Sequence, residues 1–278
     1  MTSSNHSILI RGGISFDKRP KSFVQDTIPS IRKWFDGQIV VSTWKGQEEH
    51  LSGLEKDVDV VVLSEDPGPG FIQSYNRQLV SYESGLSACT GDLVLACRAD
   101  FDIKSDPFKY WETVPKKNNG FMQVFEERVI AGNMMTIPPH RAEASVSHFR
   151  VSDWLQIGKK KDLQKWASVL ETSKQLYRSA SGLNDICTSE YKTEQYGSEQ
   201  VWFISLLHKY VSLNLNLLNY TENSDLAWYS LVNNFWIMNT RSTLDAHNLN
   251  WNFQSEFHPW YIREEEHQQV YQSIYGKD

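Results

Sequence analysis

Five apolar residues in a row, Leu93-Val94-Leu95-Ala96-Cys97, follow the turn Gly91-Asp92 and lead into Arg98-Ala99-Asp100-Phe101-Asp102. A run this short and apolar, opened by a turn, fits a strand buried on both faces, as in a parallel sheet. Such a strand needs helices above and below it, which makes the chain an α/β protein. Side chains alternate along a strand, so an extension through Ile103 places Arg98, Asp100 and Asp102 on one face. At about 3.3 Å per residue the two carboxylates stand roughly 6.6 Å apart. Charged groups at the end of a buried strand need a partner, because unpaired burial is costly. In open α/β sheets ligands bind at the carboxyl ends of the strands. The expected partner is a divalent cation, Mn²⁺ or Mg²⁺, held by Asp100 and Asp102 and carrying a diphosphate. The alternative is internal: Asp100 pairs with Arg98, and Asp102 caps the next element.

The flanking sequence supports the sheet. Residues 8–14 read as a strand ending in Gly12-Gly13, residues 38–44 as a second and residues 58–63 as a third. Apolar residues at helical spacing mark a helix within 22–35, with Pro29 as its start or restart. A turn follows over 64–70 and a second helix over 76–89. Strand, helix, strand, strand, helix, strand predicts a parallel α/β sheet. Beyond Asp106-Pro107 the pattern loosens. A short helix is expected at 108–111, strands at 120–125 and 128–137, helices at 161–177 and 195–210, a strand at 211–220 and a charged helix at 263–275.

Composition narrows the classes. A net charge of −6 gives no global electrostatic case for nucleic acid. Cys89, Cys97 and Cys187 make no CxxC pair, which argues against a disulfide framework or a zinc ribbon and suits a reducing compartment. No signal-peptide pattern and no membrane-span-length apolar run is visible, so a cytoplasmic protein is expected, with peripheral contact at the inner face of the membrane left open. Lys159-Lys160-Lys161 reads as a solvated face, or as a basic stretch for an anionic surface. The abundant Trp and Tyr read first as core packing. Neither a GxxxxGK[ST] phosphate loop nor a GxSxG elbow occurs.

Several short motifs occur together: residues 8–14, Ser30-Ile31-Arg32-Lys33-Trp34-Phe35, Val41-Ser42-Thr43-Trp44-Lys45-Gly46-Gln47, Ser64-Glu65-Asp66-Pro67-Gly68, Asn76-Arg77-Gln78, Arg98-Ala99-Asp100, Phe149-Arg150-Val151-Ser152-Asp153-Trp154 and Ser198-Glu199-Gln200. Their order resembles the WavE family of bacterial lipopolysaccharide and capsule synthesis, whose members look like glycosyltransferases of the GT-A type. The resemblance implies a GT-A-like (Rossmann-like), mostly parallel sheet flanked by helices, with a mixed α+β C-terminal part. It implies a single domain over 1–278, with a nucleotide-binding half (1–106) and an acceptor-binding half with a C-terminal extension (107–278). It implies a nucleotide-sugar donor and a glycan or lipid-linked glycan acceptor on a cell-surface polysaccharide.

Under that resemblance Arg11 and Gly12 lie near the base or phosphates, and Thr43, Trp44 and Asp66 follow strands where a base and ribose fit. Asn76 and Arg77 open a helix suited to anions, and Arg98 and Asp100 hold the metal-diphosphate. Asp153 and Glu199 are the candidate general bases. Plainer roles stand beside these. Asp66-Pro67-Gly68 can be an ordinary turn, Arg77 a surface ion pair, Glu199 a first-turn carboxylate on the helix dipole and Asp153 a turn cap. Two other functions share the pattern, a sugar nucleotidyltransferase and a non-catalytic nucleotide-sugar binder. The former wants a glycine-rich loop with a basic residue after strand one, for which Arg11-Gly12-Gly13 and Lys18-Arg19 are a poor version.

Overall fold

The computed structural model describes residues 5–14, 23–68, 74–139, 149–181, 198–211, 224–249 and 258–276. In chain order these form β1 (His6–Arg11), α1 (Val24–Ile31), β2 (Gln38–Trp44), β3 (Val60–Ser64), α2 (Tyr75–Ala88), β4 (Leu93–Arg98) and β5 (Phe101–Ile103). They continue with β6 (Val129–Gly132), β7 (Leu155–Lys159), α3 (Lys160–Ala167), α4 (Leu170–Ser181) and α5 (Ser198–Val211). The last are α6 (Ser224–Asn234), β8 (Phe235–Met238), β9 (Ala246–Asn248) and α7 (Glu264–Tyr275).

Seven strands make one sheet in the order β3-β2-β1-β4-β7-β6-β8. The first four are parallel; β7 is antiparallel to both β4 and β6, and β8 is parallel to β6. The α/β, mostly parallel sheet read from the sequence is what the chain adopts. β1 passes to β2 on one side, while β4 lies on its other side, so the strand order reverses between β1 and β4. The crevice at that reversal is where open α/β sheets bind ligands.

The alternation of side chains along β1, β2 and β4 sends residues to two separate cores. Leu9, Val40, Val94 and Ala96 pack with α2, α3 and α5. Ile8, Ile10, Ile39, Val41, Leu95 and Cys97 pack with α1 and α7. Burial on both faces is what an uninterrupted apolar run requires. α2 lies so close to the sheet that a Cβ on Gly85 would stand 2.3 Å from Leu9 Cδ1 and 2.9 Å from Ser42 Cβ.

Several expectations are corrected. The chain leaves the sheet after Arg98: Ala99 and Asp100 form a turn, and β5, with Asp102, pairs instead with β9. Arg98, Asp100 and Asp102 therefore do not share one strand face. α1 begins at Val24 and runs through Pro29 instead of starting there. The cost of the lost backbone bond is confined to the last turn of a two-turn helix whose Val24, Ile28 and Ile31 are buried. Residues 120–125 are not a strand. Gly120 and Met122 have positive φ, and Asn234 bonds the backbone of Met122, Val124 and Phe125, so no ladder forms. The strand expected over 128–137 is only β6, and it pairs with β7 and β8. The single helix expected over 161–177 is two, α3 and α4. α6, β8 and β9 lie between 220 and 263, where no element was read from the sequence, and the strand expected at 211–220 lies almost wholly outside the described residues.

α7 carries a fully buried His267, edge-on to Trp236 at 5.0 Å between ring centroids. Burial, reinforced by the Arg128 charge, pushes its pKa down to about 3. The native state therefore keeps His267 neutral, while the unfolded chain takes up a proton below about 6.5. Stability is full above pH 6.5 and falls as pH drops towards 3. We expect His267 to account for a loss of roughly 2–3 kcal/mol between about pH 7 and pH 4.5. Denaturant titrations over that range should show a shallower acid limb for His267→Leu than for the parent chain.

Candidate functional site

β1 and β4 are in register so that Arg11 lies directly beside Arg98 at their carboxyl ends. The ends are clipped together by the Ala99 backbone N–H, which donates to the Arg11 carbonyl at 3.0 Å. A cavity of about 460 Å³ opens there, at the strand-order reversal. Its walls come from the ends of β1, β2 and β4, from α2, and from Trp154, Met135 and Glu199 of the C-terminal half.

Arg11 is 1% exposed and lies against the Tyr82 ring, 4.5 Å from its centroid. Its Nη2 donates to the Asp153 carbonyl and, at 2.8 Å, to Asp153 Oδ2. Among the described residues, Arg11 Nε and Asp153 Oδ1, both buried, have no hydrogen-bond partner. Gly12 follows with φ +94, a left-handed backbone that favours glycine, and its N–H bonds the Ser42 carbonyl.

Arg98 is held side-on by Asp100. Nε donates to Oδ1 at 3.0 Å and Nη2 to Oδ2 at 2.7 Å, and the guanidinium lies 5.0 Å from the Trp154 ring centroid. Burial acts to lower the Arg98 pKa, but the charges of Asp100, Asp153 and Glu199 outweigh it and raise it. Asp66 and Arg77 form a second side-on fork, at 2.7 and 2.6 Å. That hydrogen bonding holds the Asp66 carboxyl below its usual range. Asp66 also accepts the Gly68 N–H, so the turn read over 66–68 is present and borders the cavity.

Glu199, in the first turn of α5, is 4% exposed and reaches the cavity. Arg150 Nη2 stands 3.4 Å from its Oε2, and Ser198 Oγ donates to the same atom at 3.2 Å.

Of the residues named from sequence, Arg11, Gly12, Trp44, Asp66, Arg77, Arg98, Asp100 and Glu199 line the cavity. Thr43, Asn76, Asp102 and Asp153 do not. Thr43 stands behind the wall, its hydroxyl donating to Gln47 Oε1 at 2.7 Å, and Gln47 is the residue that faces the space. Asp153 is fully buried as the partner of Arg11, not a turn cap. Sequence reasoning missed Gln47, Ser74, Gln78, Ser81 and Met135. Ser74, Gln78 and Ser81 follow i, i+4, i+7 spacing, so a polar stripe on α2 beside Arg77 was there to be found. Met135 owes its position to a positive φ of 71° that its sequence does not announce.

The acidic groups do not converge on a cation. Both oxygens of Asp100 are bonded by Arg98, and Asp102 is paired with Lys104 at 2.5 Å on the smaller sheet. Among the described residues no group of three or more His, Cys, Asp or Glu side chains is placed to hold a metal ion. The donor set therefore does not fit a divalent ion shared by Asp100 and Asp102. Also among the described residues, no helix is long and apolar enough to cross a membrane.

A family model described as WavE lipopolysaccharide synthesis matches residues 7–271. No match is found among curated proteins. Among solved structures, the crystal structure of HddC from Yersinia pseudotuberculosis is similar over 58% of this chain and 79% of its own, at 10% identity and a TM-score of 0.36.

The buried Arg11–Asp153 pair gives a stability test. Removing one partner strands a charge in the interior, so Asp153→Ala should destabilise by about 3–5 kcal/mol. The double variant Arg11→Met with Asp153→Leu should cost clearly less than the two single changes added together, by urea denaturation.

Proposed function

This chain belongs to the WavE lipopolysaccharide synthesis family, and from that membership we propose that it is a glycosyltransferase moving a sugar from a nucleotide-sugar donor to a cell-surface polysaccharide acceptor. One observation carries the reading. The cavity at the strand-order reversal is lined by two arginines, Arg98 and Arg77, which suit a departing diphosphate, and by a carboxylate, Glu199, which suits a general base.

Glu199 is the candidate base because of how the acids are held. Asp66 and Asp100 are each locked by a two-bond arginine fork, and Asp153 is sealed from the cavity. Glu199 meets its arginine through a single contact of 3.4 Å, leaving lone pairs for a proton. In a direct displacement Glu199 takes the proton of an acceptor hydroxyl as that oxygen attacks the anomeric carbon. The bond from that carbon to the diphosphate breaks, and its electron pair leaves with the nucleoside diphosphate. Fixed cationic donors beside the departing group stabilise the charge that develops there.

Glu199→Gln should lower kcat by about 100- to 10,000-fold, the usual range for a lost general base, with the donor KM nearly unchanged. The assay is nucleotide release from UDP-, GDP-, CDP- and CMP-sugars with a lipopolysaccharide or lipid-linked acceptor. Acceptor-dependent release of free nucleotide supports the transferase. Release of pyrophosphate from a nucleoside triphosphate and a sugar phosphate would make the protein a nucleotidyltransferase. Binding with neither product would make it a non-catalytic binder.

A further inference from the structure

We infer that the donor's diphosphate is held directly by the unused edges of Arg98 and Arg77, without a divalent cation, and that Asp100 and Asp66 are positioning carboxylates. The choice of a nucleoside diphosphate as ligand rests on the transferase reading above.

The two forks are built alike. In Arg98 the edge carrying Nε and Nη2 is taken up by Asp100, and in Arg77 the same edge is taken up by Asp66. A guanidinium has five N–H donors. A side-on fork uses two and leaves the Nη1 pair and the second Nη2 hydrogen. Among the described residues neither Nη1 has a protein partner. Both arginines line one cavity, from the end of β4 and the first turn of α2. Each carboxylate fixes its arginine's plane, so a planar, permanently charged donor edge is in place before an anion arrives. That edge matches phosphate oxygens in pairs.

The carboxylates argue against a bridging ion in the same place. A dication on Asp100 would share that carboxylate with the Arg98 guanidinium, and like charges on one acceptor repel. The second ligand that would offset this, Asp102, is neutralised by Lys104 away from the cavity. Glu199 has Arg150 beside it.

Isothermal titration of UDP, GDP, CDP and CMP into the full chain, in EDTA and again in Mn²⁺, tests the inference. A nucleoside diphosphate should bind in both buffers with dissociation constants within about threefold, short of the tenfold step of one lost charged contact. Arg77→Gln should weaken binding by on the order of tenfold in both buffers. It should leave the melting temperature nearly unchanged, since its ion pair is exposed and contributes little to stability. Arg98→Lys, which keeps the charge but loses the fork, should weaken binding likewise. Abolition of binding by EDTA would overturn the inference and leave the transferase intact. So would a large Mn²⁺ enhancement that Asp100→Asn removes, binding of CMP alone, or parent-like affinity in Arg77→Gln. Binding of no nucleotide in either buffer would overturn both readings.

Discussion

A buried guanidinium cannot be left without a counter-charge, and the carboxyl end of this sheet is organised around that requirement. Arg11 ends β1, in the N-terminal part of the chain; the carboxylate that neutralises it, Asp153, is 142 residues away and immediately precedes Trp154 and β7. β7 pairs with β4, and the Arg98 N–H bonds the Trp154 carbonyl at 3.0 Å. Docking β7 onto β4 and neutralising Arg11 are thus one event. The two halves read from sequence as nucleotide-binding and acceptor-binding are in this sense not separable around the cavity.

Beneath Arg11 lies an aromatic floor. Trp166 and Trp202 are stacked 5.0 Å apart, and Tyr82 and Tyr75 meet Trp202 edge-on. Tyr82 donates to Gln156 Oε1, Tyr75 shares a hydrogen bond with Ser173, and the Trp202 indole donates to the Trp166 carbonyl. Burial holds both phenols above their usual pKa, so they stay neutral. The Arg11 guanidinium rests on the Tyr82 face of this floor, where a cation and an aromatic ring attract. Core packing, the plainer reading of the aromatic residues, accounts for these four, and the packing also positions a charged group.

What was legible in the sequence follows from how far a signal depends on its own neighbours. β1, β2, β3, β4, α2 and α7 were read within a few residues because apolar runs and helical spacing are local. β6, β8 and β9 are three or four residues long and owe their existence to partners far away in sequence, so periodicity carried little. The split between α3 and α4 has no proline or glycine to mark it; residues 168–169 are Ser-Val. At the site, Arg98 was legible from its place at the end of a buried strand, and Arg11 and Trp44 from the resemblance, which puts the ligand at strand ends. The roles of Asp153 and Thr43 were not. Each touches the cavity only through another side chain, Arg11 or Gln47, and such contacts have no sequence signature.

The stretch that most constrained the fold also shows where alternation misleads. Charged residues at every second position fit an extended strand with two carboxylates on one face. They fit equally a chain that turns at the first carboxylate, and here a specific competition decides. Turning at Ala99-Asp100 brings Asp100 side-on to Arg98 with two hydrogen bonds, and lets Phe101 and Ile103 enter the core beside β9. A two-bond charged fork is among the stronger hydrogen-bonded arrangements, and burying two apolar side chains adds to it. The turn therefore prevails, and it changes the chemistry of the strand end. A place patterned to gather two acids becomes one where Asp100 orients Arg98 and Asp102 turns away to Lys104, and what that strand end offers a ligand is oriented positive charge.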